Sequence, residues 1–355
     1  MMRSSLLAIL IATSALEAQD KTVIVLDEPS CAKCTISIKP VAHIGTAEGA
    51  GNLSTTPSQV RVDGLGRYWV MQELEMPLVF DANGKFVARV GNKGQGPGEF
   101  ESPMQAMALP GDSMLVFDGV RTQVISPDFK PGRAIARGTA TGGPGVVVNW
   151  PVLVIMSRRK YEMTPPILRV DLSTDEMRSL GAFGPTDRGD LDPRSPLSQT
   201  IDAANGDHFW SHDGARYRVS SWTFAGEARS AFERKPEWFV NPPDGSKKSF
   251  VQPYVRAVSE ANDGLVWVFV STARPDYRSN LPKIQGREIA ARSIPYEKLY
   301  RTTIEIIDPH AAHVVAHTVV DQYIIAALPN GRVAAYSVDG QDVPHVDILQ
   351  LTLQR

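Results

Sequence analysis

The chain has 355 residues, a formal net charge of −2 and only two cysteines. That balance of charge argues against a nucleic-acid partner and against a membrane surface held by electrostatics. Length alone allows two or three domains or one large all-β domain. The 28 glycines and 26 prolines, spread along the chain, supply the tight turns of the latter. No long stretch with a 3.6-residue apolar period supports a helical protein.

The N-terminus reads as an export signal. Met1-Met2-Arg3 gives a short basic start, and the apolar run at 6–12 is too short to span a bilayer and stay there. Cleavage is expected after Ala18 or after Ala15. A buried first strand or helix fits this basic, apolar, small order less well. No cysteine follows closely enough for lipid attachment. Residues 1–18 are therefore expected to be a signal peptide and 19–355 a single domain. The mature chain, with no transmembrane segment, is expected to be periplasmic or secreted.

Cys31 and Cys34 lie in Ser-Cys-Ala-Lys-Cys, between β-like runs at 23–26 and 35–38. Two cysteines are too few for a structural zinc site unless histidines complete it. A redox pair of this spacing opens a helix in a βαβ context, which is missing here. A local disulfide that pins a turn is the expectation, with a free or catalytic pair and a metal site as alternatives.

Residues 60–100 form one complete module. A hairpin spans 60–71 around Asp63-Gly64-Leu65-Gly66, a third strand covers 78–80, and Asp81-Ala82-Asn83-Gly84 turns into a fourth strand at 86–90. Gly91-Asn92-Lys93-Gly94-Gln95-Gly96-Pro97-Gly98 then leads out. Four such strands cannot bury both faces alone, whereas stacked copies can.

Looser copies follow. Hairpins are predicted at 104–118, 146–157, 200–211, 255–270 and 323–336, each an apolar run, a Gly/Asn/Asp turn and a second apolar run. They recur about every 45 to 65 residues, within the range of propeller blades. Third strands are expected at 124–126, 167–172, 217–223 and 303–307. After Tyr336 only one strong strand remains, at 346–353. The segment 35–44 has no hairpin ahead of it, and Val41-Ala42-His43-Ile44-Gly45 resembles Val87-Ala88-Arg89-Val90-Gly91, an outer strand entering a connector. The expected fold is all-β, a six-bladed β-propeller in which N-terminal strands complete the last blade.

The segment Gly91 to Phe100, leading to Pro103, and the Asp63-to-Val70 hairpin echoed at Asn262-Asp263-Gly264-Leu265-Val266-Trp267-Val268 resemble the NHL-repeat and TolB-like superfamily of six-bladed propellers. Gly-Pro-Gly-Glu-Phe is similar to exported bacterial members. The resemblance extends over nearly the whole mature chain, although the later blades depart from the pattern. It implies a fold and no reaction, since relatives include protein-binding modules, hydrolases, lyases and dehydrogenases.

Long loops at 46–59, 185–199, 234–253 and 272–301 emerge on one face, where binding usually sits. The last is rich in cations (Arg274, Arg278, Lys283, Arg287 and Arg292), with a short helix expected at 285–293. Arg121, Arg158, His212, Arg216 and Arg274 are the candidate ligand-binding set, suited to an anionic ligand such as a carboxylate. Arginines on exposed loops are also commonly solvated or paired nearby. His208, Trp210 and His212 share one side of a strand, but no matching ligand stands elsewhere, and His310, His313 and His317 lie apart. No metal site, no cofactor and no catalytic residue is assigned. No Gly-x-Ser-x-Gly elbow occurs, and neither glycine-rich segment leads into a helix that would cradle phosphate. The function expected is an exported, monomeric binding module for a protein, peptide or glycan on the loop-rich face. The alternatives are a hydrolase or lyase with an active site at the central channel mouth, and a subunit of a larger envelope assembly.

Overall fold

The computed structural model describes residues 22–26, 29–118, 121–135, 142–157, 167–174, 176–181, 200–213, 216–240, 251–281 and 294–355. The expected signal peptide, Arg158, and the loop segments 185–199, 241–250 and 282–293 lie outside these.

Strand pairing produces six sheets of at least four strands. The first blade comprises Pro57–Val62, Tyr68–Gln72, Leu78–Phe80 and Phe86–Arg89. The second comprises Pro103–Ala108, Met114–Asp118, Thr122–Ile125 and Pro131–Ile135. The third runs through Gly142–Asn149, Val152–Ser157, Ile167–Asp171 and Glu176–Gly181. The fourth holds Thr200–Asn205, His208–Asp213, Arg218–Thr223 and Ala228–Glu233. The fifth holds Tyr254–Glu260, Val266–Ala273, Tyr300–Asp308 and His313–Val320. The sixth takes Tyr323–Leu328, Arg332–Val338 and Pro344–Gln354 from the C-terminus and Thr35–Ile44 from the N-terminus. First strands of successive blades touch, and that of the sixth touches that of the first, so the sheets close into a ring.

Stacking explains why the second strand of a blade reads as a continuous apolar run. Side chains of a strand alternate between faces, and both faces of a blade meet another blade. Tyr68 and Val70 join a core with Tyr323, Ala334 and Val346 of the sixth blade. Trp69 and Met71 join a different core with Ala106, Met114 and Val116 of the second. All five residues Tyr68–Gln72 are therefore buried. Each remaining seam has its own apolar cluster.

Ring closure follows the sequence expectation. Thr35–Ile44 pairs antiparallel with the last strand, from Thr35 opposite Gln354 to Ile44 opposite Val346. The preceding segment does more than the sequence suggested. Thr22–Ile24 pairs in parallel with the outer strand of the fourth blade, and Leu26 bridges His313 at the outer edge of the fifth. Arg234 Nη1 donates to the Leu26 carbonyl at 3.1 Å. Cys31 and Cys34 form a disulfide, with Cα atoms 5.3 Å apart, packed against Leu265, Ile306, Val315 and Ala316. The N-terminal segment thus straps the outer edges of three successive blades, covering strand edges that would otherwise be open to pairing. Among the described residues no helix is long and apolar enough to cross a membrane.

Candidate functional site in the central channel

The arginines singled out from the sequence have separate surroundings. Arg121 holds the glycine-rich connector: its Nη2 donates to the carbonyl of Gly96 and, at 2.9 Å, to that of Glu99. Gln123 Nε2 donates to the Glu99 carbonyl at 3.0 Å and its Oε1 accepts from Gly98 N at 3.0 Å, while Asp118 accepts from the backbone of Glu101 and Ser102. Gly94, at φ +148°, lies so near the Glu99 carboxylate that a Cβ would stand 2.3 Å from it. Arg121 is thus engaged by backbone carbonyls. Its replacement by alanine is expected to lower stability by about 1.5–3 kcal/mol, the range for hydrogen bonds to charged groups. A urea denaturation curve checks this.

Arg216 is exposed in the turn before Arg218–Thr223. Arg274 Nη1 donates to the Asp321 carbonyl at 2.8 Å, and its Nε lies 3.5 Å from Asp276 Oδ1. Arg158 is outside the described residues. His212 alone of the set is buried beside a channel-lining group, its Nε2 3.4 Å from Asp202 Oδ2. His208, on the same strand, is engaged elsewhere: its Nε2 is 2.7 Å from Glu260 Oε2, which also accepts from Trp210 Nε1 at 2.8 Å.

Most of the charged groups that do converge come from the first strands of the blades, while Arg332 opens the second strand of the sixth. A cavity of about 720 Å³ is lined by Arg61, Asp202, Glu260, Trp267, Phe269 and Arg332, among others. It reaches the turns at Ala261-Asn262 and Pro329-Asn330-Gly331, at the short-turn end of the ring rather than the long-loop end. Arg61 and Asp202 face each other from the first and fourth blades. Burial pulls the Arg61 guanidinium below its ordinary range, and the Asp202 charge opposes that pull. Asp202 is oriented by Val258 N, which donates to its Oδ2 at 2.8 Å.

Arg256, on the first strand of the fifth blade, sits at a backbone irregularity. Val255 pairs with Val270 and Ala257 with Phe269, so Arg256 is the extra residue of a β-bulge. Bulges re-aim a side chain and bend the strand. The Arg256 guanidinium lies 5.9 Å from the Tyr323 ring centroid, within cation–π range. The Nε atoms of Arg61, Arg256 and Arg332 and both ring nitrogens of His212 are buried without a hydrogen-bond partner among the described residues.

At the long-loop end, above Arg256, four tyrosines pack together. Tyr254 and Tyr323 share a hydroxyl hydrogen bond of 2.9 Å. The ring of Tyr296 stacks on those of Tyr323 and Tyr300, at centroid separations of 5.9 and 6.3 Å, and Tyr254 meets Tyr300 edge-on. Burial, reinforced by the neighbouring Tyr254, pushes the phenols of Tyr323 and Tyr300 well above their usual range, so both stay neutral hydrogen-bonding groups.

Residues 18–128 match the model of the DUF5128 family, described as a 6-bladed beta-propeller. The chain is a six-bladed β-propeller. No curated protein matches its sequence. Among solved structures, it is similar to a member of the DUF4221 family from Bacteroides vulgatus, with TM-score 0.59 and 10% identity, covering 90% of this chain and 99% of that one. A Bacteroides fragilis protein thought to be exported superposes with TM-score 0.57 and 10% identity, covering 94% and 99%. At these identities the likeness concerns the fold alone.

Sequence reasoning placed the propeller's charged groups on loops and missed Arg61, Asp202, Arg256 and Arg332. Three of them sit on first strands, where a charge breaks an apolar run. That break was the available signal. The propeller's cavity thus presents guanidinium groups and one oriented carboxylate beside the rings of Trp267 and Phe269, a set able to hold an anion beside an apolar or aromatic body.

Proposed function

We propose that this propeller is an exported binding module that takes a carboxylate-bearing ligand, such as a peptide end or an acidic glycan, into its central channel. The observation that carries this reading is the excess of half-buried guanidinium groups at and beside the cavity. Arg61 and Arg332 line it with Asp202 and Glu260, Arg256 adds a third cation within electrostatic reach of Asp202, and Glu260 is already engaged by His208 and Trp210. A guanidinium with its Nε out of water and no matching anion is costly, and a ligand carboxylate would supply two hydrogen-bond acceptors and the missing charge. Trp267 and Phe269, which line the cavity, would hold the less polar part of the ligand. The binding surface in this reading is the channel, rather than the rim of the loop-rich face.

Calorimetric titration with a panel of peptides and acidic oligosaccharides tests the proposal. Arg256→Gln and Arg61→Met are each expected to weaken binding at least tenfold, because a charge-assisted hydrogen bond contributes about 1.5–3 kcal/mol. Arg61→Met is further expected to leave the unliganded protein as stable as the wild type or more so, since burial acts against the Arg61 charge. Variants that bind every ligand as the wild type does would overturn the proposal.

The hydrolase or lyase reading draws on one observation, the buried His212 beside the oriented carboxylate of Asp202. A base held against a carboxylate is an arrangement that general acid–base chemistry uses. Turnover of a lactone or glycoside that disappears in His212→Gln, with binding retained, would establish it.

A further inference from the structure

We infer that His43, His345 and Asp347 form a zinc site that bridges the N-terminal and C-terminal strands of the ring closure. The donor atoms of these three side chains all lie within 4.8 Å of one another. His43 stands on the N-terminal strand directly opposite Asp347 on the last strand, 304 residues away in sequence. Its Nδ1 is 2.7 Å from Asp347 Oδ1. His345 Nε2 is 3.9 Å from Asp347 Oδ2, and the two imidazole rings are 4.6 Å apart between centroids.

The surroundings of His345 prepare it as a ligand. Its Nδ1 lies 3.3 Å from the Val343 carbonyl, which accepts the N–H there and leaves Nε2 with its lone pair, 3.9 Å from Asp347 Oδ2. A ligating histidine commonly has its second nitrogen fixed in this way. The turn that carries Val343 is itself pinned by Asp339, which accepts from Gln341 N at 2.8 Å and Val343 N at 3.0 Å. Ser337 Oγ, 2.7 Å from His345 Nε2, donates to that lone pair, and an ion takes its place when the Ser337 side chain turns to another rotamer.

Backbone geometry brings the two strands close at this point. Gly45, immediately after the N-terminal strand, has φ +110°, and a Cβ there would stand 2.8 Å from the Pro344 carbonyl. Two imidazoles and one carboxylate are the donor set of a borderline metal such as zinc, at about 2.0–2.2 Å, and leave a fourth tetrahedral position for water. His43 is 60% exposed, so its ring is free to turn and open the 2.7 Å contact around an ion, and solvent reaches the open position. Magnesium and calcium, which prefer oxygen ligands, do not suit this set.

Zinc held here would cross-link the two ends of the chain. It would stabilise the closed ring by mass action, since the ligands are assembled only in the folded state. The test uses full-length mature protein without a histidine tag, stripped with a chelator. Calorimetric titration with zinc chloride is expected to show one saturable site, and a hundredfold excess over Kd to raise the melting temperature by about 5 °C. Magnesium is expected to have no effect. His43→Asn and His345→Gln should each weaken zinc binding at least tenfold while the metal-free melting temperature stays close to that of the wild type. Arg61→Met should keep the full zinc response, which separates this site from the channel. Absence of saturable binding would overturn the inference, as would undiminished binding in a His43→Asn/His345→Gln double variant.

Discussion

Replacing Asp63 by alanine is expected to lower the stability of the folded ring by about 3–5 kcal/mol, the range for removing one partner of a buried ion pair. The Asp63 carboxylate is fully buried and accepts four hydrogen bonds. Oδ1 takes the backbone N–H groups of Leu65 and Arg67, at 3.0 and 2.9 Å, and closes the hairpin turn. Oδ2 takes Arg67 Nε at 2.7 Å and Trp69 Nε1 at 2.9 Å. Arg67 then reaches into the second blade, donating from Nη1 to the Pro127 carbonyl at 2.9 Å and lying 4.6 Å from the Phe129 ring centroid. Alanine would take the acceptor from Trp69 Nε1 and the counter-charge from Arg67, which is itself largely buried. Asp63→Asn keeps an acceptor for the turn but loses the charge, so an intermediate loss is expected. Because Asp63 and Arg67 act as a unit, the Asp63→Ala/Arg67→Ala double variant should lose less than the sum of the single losses. Urea denaturation of four variants, Asp63→Ala, Asp63→Asn, Arg67→Ala and the double, measures this, and a loss below about 1 kcal/mol in Asp63→Ala would show that the seam does not depend on this carboxylate.

That carboxylate also shows how far the sequence could be read. The pattern Asp63-Gly64-Leu65-Gly66-Arg67-Tyr68-Trp69 is local, because turn, cap and tryptophan lie within one hairpin, and the hairpin was legible. Its echo in the fifth blade is similar only in part. Ala261 N donates to the Leu265 carbonyl as Asp63 N does to that of Arg67, so alanine occupies the place of the capping aspartate. Asp263, two residues further on, instead accepts from Leu265 N and pairs with Arg355 at 3.1 Å. The connector at 91–98 was legible for the same local reason, as its glycines announce a close crossing. What holds it, Arg121 and Gln123, belongs to the next blade. The channel was not legible, because no short window brings Arg61 together with Asp202 and Arg256. Only the ring closure does that, and the bulge at Arg256 depends on pairing across two strands. The strap over the fourth and fifth blades escaped for a related reason. Thr22–Ile24 is apolar enough to be a strand, but its partner, Ala228–Glu233, lies some two hundred residues away.

Deleting residues 19–44 is expected to abolish cooperative folding of the monomer, whereas deleting 19–34 is expected to leave a folded ring of reduced stability. The longer deletion removes the whole outer strand of the sixth blade, from Thr35 opposite Gln354 to Ile44 opposite Val346. It also removes Ile44, which is fully buried between the sixth and first blades, and Ile36 and Ile38, which pack against the core between the fifth and sixth. The last strand, Pro344–Gln354, would then be an open edge of 11 residues, a template for pairing with another chain. The shorter deletion takes the pairing of Thr22–Ile24, buried Val25, the bridge at Leu26 with the acceptor its carbonyl gives Arg234, and the Cys31–Cys34 disulfide. The disulfide closes a loop with a sequence separation of only 3. In the chain-entropy model so short a loop contributes about 2 kcal/mol at most. Ile44→Ala isolates the apolar part of the longer deletion and is expected to cost about 2–5 kcal/mol. Size-exclusion chromatography and thermal melting distinguish the outcomes: aggregation or a non-cooperative melt for 45–355, and a cooperative melt at lower temperature for 35–355. A soluble, cooperatively melting monomer from 45–355 would show that five complete blades and an open sixth suffice. Stability would then reside in the seams between blades, each with its own apolar core, rather than in closure of the ring.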